Sequence, residues 1–211
     1  KRAPLIFSDA RRLAAILSAR GRPGQVIFAG KAHPADRGGQ AFAQQVFRHT
    51  LEAHFGGRVV FIEEYDMEVG RMLVSGCDVW LNNPVPPHEA SGTSGMKPPL
   101  HGGLNCSIAD GWWPEAATAG NGWTIPSSDK APIRLSAGQR DRRDAAALYD
   151  LLERQIVPLF YARGADGLPR GWLKRSLRSM QTIGQPFSAA RMVGDYVRQY
   201  YLPAHSGADP S

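Results

Sequence analysis

Lysine is scarce in this chain: the 25 basic residues are 5 Lys and 20 Arg. Most of the positive charge therefore sits on a group that stays protonated and cannot form an imine, so each lysine has to be weighed as chemistry as well as charge. Cysteine is scarcer still. Cys77 and Cys106 stand alone, each in an apolar setting, which excludes a disulfide framework or a cysteine-ligated metal cluster and fits buried, reduced thiols in a cytoplasmic protein. No apolar run approaches the roughly 20 residues that span a bilayer. KRAPLIFSDARRL returns to charge too early for a signal peptide. Internal repeats and low-complexity tracts are missing as well.

What is present describes a soluble α/β protein. The 211 residues, 43% hydrophobic and 21% charged, suit one good-sized domain or slightly more, with a real core. The net charge of +6 is mostly scattered arginine without a zinc-finger, helix-turn-helix or RNA-recognition motif, so neither nucleic acid nor membrane is an expected partner. The first fifty residues hold nine Lys/Arg against two Asp/Glu. That density is either a solvated basic face or a site for a phosphorylated ligand.

Helical periodicity comes first, in DARRLAAILSAR (9–20), with Asp9 as cap or first-turn acid, followed by the short apolar strand QVIFAG (25–30). An amphipathic segment from Gly38 to His54 leads to the strand RVVFIEEY (58–65), the helix MEVGRMLVSG (67–76) and the strand DVWLNN (78–83). LHGGLNCSIAD (100–110) ends a helix at its glycines and opens a fourth strand, and GWTIP (122–126) is a short fifth. Continuous apolar strands alternating with helices predict a doubly wound, Rossmann-like parallel sheet covered on both faces. The polar stretch 127–144 reads as a loop. Helical patterns then fill 145–163, 171–184 and 188–203. The expected organisation is a Rossmann-like domain over 1–130, a C-terminal helical region over 131–203 packed on it, and a disordered tail over 204–211.

Between the third and fourth strands lies EASGTSGMK (89–97). Ligands of open parallel sheets bind beyond the carboxyl ends of strands. Gly92 and Gly95 let backbone N–H groups approach a ligand closely, a helix starting near Thr93–Ser94 would aim its N-terminus at an anion, and Ser91, Thr93 and Ser94 supply hydroxyls. The spacing is neither G-x-x-x-x-G-K-[ST] nor G-x-G-x-x-G. Taken alone it is a weak phosphate cradle, or a capped helix start carrying an exposed lysine.

EASGTSGMK with LHGGLNCSIADGWW closely resembles the pyridoxal-phosphate site of the α-glucan (glycogen, starch, maltodextrin) phosphorylases, bacterial branch. The likeness extends over GKAHPADRGGQ, FIEEYDMEVGRMLVSGCDVWLNNP, LYDLLERQIVPLFYAR and MVGDYVRQYYLPA, nearly the whole chain. It implies that Lys97 holds pyridoxal 5′-phosphate as a Schiff base, and that the cofactor's phosphate exchanges a proton with the substrate phosphate. It also implies that Thr93, Gly92 and Tyr65 lie near the cofactor and that Glu89, Ser91 and Gly92 bind sugar hydroxyls. Lys1 and Arg2 would end a basic motif for cofactor and substrate phosphates. The implied substrates are α-1,4-glucan and orthophosphate, and the implied product is glucose 1-phosphate. Gathered phosphates need cations and N–H dipoles around them, and neighbouring cations would hold the Lys97 amine more neutral.

The resemblance also implies a fragment. Family members have two Rossmann-like domains in the GT-B arrangement; this chain would be the second plus the C-terminal helices, and alone would be inactive. An apolar face turned towards the missing first domain would be left exposed. The likeness leaves room for allosteric control and for a homo-oligomer. Its local departures are Pro98 and Pro99 after the lysine, Asp66 where the animal enzymes have a basic residue, and His101 where asparagine is usual. In an α-helix His101 would share a face with Lys97. Asp110 and the pair Trp112–Trp113 either shape the loop or pack in the core. Two alternatives stand beside the phosphorylase: a nucleotide-sugar glucosyltransferase of the same two-domain fold without pyridoxal phosphate, and a non-catalytic sugar- or phosphate-binding module.

Overall fold

Five of the described helices start at a side-chain cap. In the computed structural model, which describes residues 1–126 and 135–207, a 3-10 turn Ala3–Phe7 buries Leu5, Ile6 and Phe7 and runs into α1, Ala10–Leu17. The Asp9 carboxylate accepts the Arg12 N–H and caps α1, whose buried face is Leu13, Ala14, Ile16 and Leu17. Strand β1, Val26–Ala29, follows, and then α2, Arg37–Thr50, capped by Asp36. Strand β2, Val59–Ile62, leads to α3, Met67–Gly76, where Asp66 accepts the Val69 N–H. The acid at 66 is thus a helix cap.

Strand β3, Val79–Asn82, is followed by two 3-10 turns, Thr93–Met96 and Pro98–His101, then β4, Leu104–Ile108. The four-residue α4, Trp113–Ala116, precedes β5, Gly122–Ile125. Next come α5, Ala137–Leu151, and α6, Val157–Tyr161, joined by a π-type turn. α7, Arg170–Ser179, α8, Ala189–Tyr196, and α9, Leu202–Ser206, complete the chain.

Two sequence expectations shift here. The loop expected to 144 ends by Ser136, because S-A-G-Q forms a capping box: the Ser136 hydroxyl accepts the Gln139 N–H while the Gln139 side chain accepts the Ser136 N–H. The charged run after it is helical, and the earlier part of that loop, with the boundary at 130/131, falls outside the described residues. Of the expected tail, residues up to Ser206 continue in α9, and 208–211 fall outside.

All strand pairings are parallel, but the expected single sheet is divided. β1 pairs with β2 from Val26↔Val59 to Ala29↔Ile62. β3, β4 and β5 form a separate ladder, with Leu81↔Cys106↔Trp123 in register. One apolar core nevertheless joins both ladders: Val26, Phe28 and Val59 share it with Leu104, Cys106, Ile108 and Ile125. Leu148, Tyr149 and Trp172 from α5 and α7 belong to the same core, so the C-terminal helices pack on the strands. Tyr149 also ties α5 to the N-terminus, donating to the Ile6 carbonyl and accepting from the Asp9 N–H. A second cluster gathers Trp112, Trp113, Ala116 and Ile183.

Candidate functional site

The carboxyl end of β3 is polar where its body is apolar. Asn82 and Asn83 are buried there, and a buried amide needs partners. The Asn82 amide donates to Ser107 Oγ on β4 at 3.2 Å, and its Oδ1 accepts from Lys1 Nζ at 2.6 Å. Lys1 Nζ also lies 3.2 Å from Glu89 Oε2. The first residue of the chain and the acid of the 89–97 loop thus meet over the end of β3. Glu89 is the more enclosed partner, its side chain 14% exposed against 45% for Lys1.

Glu89 is held from behind. Its backbone N–H donates to Asp110 Oδ2 at 3.0 Å, and Asp110 Oδ1 accepts the Gly111 N–H at 2.9 Å. The Trp112 N–H bonds the Ser91 carbonyl at 2.9 Å. Of the two accounts of Asp110 and the tryptophans, the structure shows both: Asp110 and the Trp112 backbone fix the loop, while the two indoles fill the second core cluster. Gly92 has φ of 77°, and a Cβ on it would come 2.6 Å from Glu89 Oε1. Only glycine fits that backbone and that gap without displacing the carboxylate. Gly95 lies against Asn105 and the Trp112 ring, and Asn105 Nδ2 donates to the Gly95 carbonyl.

The helix expected at Thr93 is a pair of short 3-10 turns meeting at Lys97. Pro98 and Pro99 open the second turn and are buried, which explains how two prolines fit after the lysine. At 3.0 residues per turn, positions four apart diverge by about a third of a turn, so Lys97 and His101 do not share a face as an α-helix would have made them. Lys97 is exposed, with Nζ 3.4 Å from the Thr93 carbonyl. Ser91 and Thr93 are exposed beside it.

Two expected residues stand apart from this group. Tyr65 lies over the first turns of α3, its hydroxyl against Gly70, and among the described residues makes no hydrogen bond to the loop. Arg2 is buried and serves as an anchor. Its guanidinium pairs with Asp141 at 2.6 Å and Asp144 at 2.9 Å and donates to the Asn83 and Pro84 carbonyls. These acceptors hold Arg2 in the fold, and its expected part in binding substrate phosphate stays a proposal for the intact enzyme. Sequence reasoning missed Asn82, Ser107 and Asn105. Their signal was polar side chains inside DVWLNN and LNCSI, strands otherwise read as apolar. Cys106, next to Ser107, is no nucleophile: burial pushes its thiol up to about 12.

No family model matches the chain. Individual relatives do. It is 49% identical over 204 residues, 97% of its length, to a glycogen phosphorylase of Mycobacterium bovis. It is 43% identical over 201 residues to a glycogen phosphorylase of Aquifex aeolicus, and 41% identical over 208 residues to a maltodextrin phosphorylase of Thermococcus litoralis. The matched region is 23%, 28% and 24% of these relatives, so the chain spans about a quarter of their length.

Proposed function

We propose that this chain, a homologue over nearly its whole length of one segment of the α-glucan phosphorylases, is the cofactor-bearing part of a two-domain glucan phosphorylase of GT-B architecture. The intact enzyme would use orthophosphate to release glucose 1-phosphate from the ends of α-1,4-glucan, in a cytoplasmic setting. The observation that carries the reading is the convergence of Lys1, Glu89 and Gly92 on the loop that ends at Lys97.

The residues present fit pyridoxal 5′-phosphate. Among the described residues the exposed Lys97 amine makes one long contact with a carbonyl, which suits capture of an aldehyde. Gly92 and Thr93 offer an N–H and a hydroxyl within the same short loop for a phosphate. When bound, the cofactor supplies a phosphate group able to exchange a proton with the substrate phosphate.

The chain's own groups then divide the work. Lys1 neutralises phosphate charge, and Glu89 accepts hydrogen bonds from sugar hydroxyls, with Ser91 and Gly92 beside it. The Lys1–Glu89 pair fits both tasks, because an arriving phosphate draws Nζ away and frees the carboxylate for the sugar. Asp110 keeps Glu89 in position through its backbone N–H. Tyr65, on the segment before α3, is assigned the outer edge of the cofactor pocket.

The test is reductive trapping. After incubation with pyridoxal 5′-phosphate, borohydride reduction and digestion, mass spectrometry should find the adduct on Lys97 out of five lysines, and Lys97→Arg should remove it. Adduct spread over all lysines in the intact enzyme would sink the reading and favour a nucleotide-sugar glucosyltransferase, whose chemistry needs no amine there.

A further inference from the structure

α7 is held to the fold by one side and leaves the other open. Trp172 and Ser179 are buried, and the Trp172 ring packs on Phe160 and Trp123. The opposite side carries two stripes set by the helical period. Leu173 and Leu177 form an apolar stripe, exposed to 43% and 58%. Arg170, Lys174 and Arg178, four residues apart and therefore about 6 Å apart along the axis, form a cationic stripe next to it.

A groove of about 910 Å³ follows these stripes and is also lined by Ala119 and Gly120, from the loop before β5. Its shape is built into the fold. Arg175 donates to the Gly122 carbonyl at 2.8 Å and lies over the Trp123 ring, while Asn121 Nδ2 donates to Thr182 Oγ1 at 2.9 Å. No carboxylate is among the described lining residues. Arg170 pairs with Asp166 outside the groove, but Lys174 and Arg178 make no ion pair among the described residues. Between Asp166 and Asp195 the sequence places five Lys/Arg and no Asp or Glu. Like charges four apart on a helix repel, so the stripe does not serve α7 itself.

The two stripes together select the occupant. Leucines call for apolar side chains, and cations about 6 Å apart call for carboxylates at the same spacing; one acidic amphipathic helix supplies both. A flat lipid surface does not enter a groove walled by Ala119 and Gly120. A nucleic-acid strand would bring bases that need aromatic platforms, and no aromatic residue is among the described lining. We infer that this groove is the docking site for an acidic amphipathic helix of a partner protein, with its apolar side chains on Leu173 and Leu177 and its carboxylates on Lys174 and Arg178. None of the lining residues belongs to the Lys1–Glu89–Lys97 group, so docking and lysine trapping succeed or fail separately.

The test uses fluorescence anisotropy with labelled synthetic peptides of about 14 residues, roughly four helical turns. One carries Leu and Glu at helical spacing, one is its scrambled isomer, and one has Lys in place of Glu. The first should bind, and the scrambled isomer should bind about tenfold more weakly. Reversing Lys174→Glu with Arg178→Glu should weaken the first peptide by about tenfold or more. Reversing the exposed Arg20→Glu with Arg22→Glu, the same change in net charge, should leave it unchanged. Leu177→Ser should weaken it without any change in charge. The lysine peptide should in turn prefer the Lys174→Glu, Arg178→Glu protein over the parent. Absence of binding by the first peptide overturns the inference. So does equal binding of the scrambled isomer, or equal loss in the two double variants, because net charge alone would then be at work. Phosphatidylserine vesicles or oligothymidylate that bind more tightly than the peptide and are released by the Lys174 and Arg178 reversal would overturn it in favour of a lipid or nucleic-acid site. Self-association in sedimentation velocity that Leu177→Ser abolishes would overturn it in favour of a second copy.

Discussion

Glycine 92 shows how one missing Cβ can shape a site. Its left-handed backbone and the 2.6 Å gap to Glu89 Oε1 predict that Gly92→Ala loses roughly 1–2 kcal/mol of stability in urea unfolding. The same change should weaken glucan binding in the intact enzyme by displacing the carboxylate; a neutral result on both measurements would refute the packing argument. Cys106 gives a pH signature. Burial raises its thiol from an ordinary 9.0 to about 12, so the folded state holds the proton longer than the unfolded one. The associated stability is complete below about pH 9 and is lost as pH rises from there towards 12. By pH 10 it should amount to a loss of about 1 kcal/mol. Unfolding at pH 8 and pH 10 checks this, because Cys106→Ala should show a correspondingly smaller drop.

At the scale of elements, one cap, Asp9, was read from the sequence, and the structure adds Asp36 and Asp66. Asp9, Asp36 and Asp66 precede α1, α2 and α3, and each accepts the backbone N–H three residues on, because capping is a local contact. Ser136 and Gln139 carry the same kind of signal, hidden by the charged run that follows. Ser136→Ala should cost about 1 kcal/mol and fray the start of α5. Thermal unfolding and helix-region circular dichroism would register it, and an unchanged midpoint would count against the cap. The 93–101 segment was misread as an α-helix because glycine and proline there favour tight turns over a continuous ladder.

For the whole molecule, the proposed two-domain reading makes a prediction about activity. The chain spans about a quarter of its relatives' length, and the two-domain reading puts the other half of the cleft in a second domain. Purified chain, free of full-length enzyme, should give no glucose 1-phosphate from glucan and orthophosphate; measurable turnover would overturn the two-domain reading. The last helices expose several apolar side chains. Val193, Tyr196, Tyr200, Tyr201 and Leu202 all lie open on α8, α9 and the turn between them. Among the described residues no helix is long and apolar enough to cross a membrane.

The sequence by itself determined the alternation of strands and helices, the capped start of α1 and the loop that ends at Lys97. Periodicity, capping and glycine content act over a few residues, and so are written locally. Its resemblance to one family likewise marked Lys97 and Glu89. Only the tertiary structure decided which distant groups meet. Arg2 finds its acceptors Asp141 and Asp144 more than a hundred positions away. Lys1 reaches Glu89 across most of a domain, and buried Asn82 and Ser107 pair across strands. Strand order was decided at the same level: each strand's apolar pattern says that it is buried, but its neighbours are chosen by crossovers, so the divided sheet emerges only when the strands are assembled.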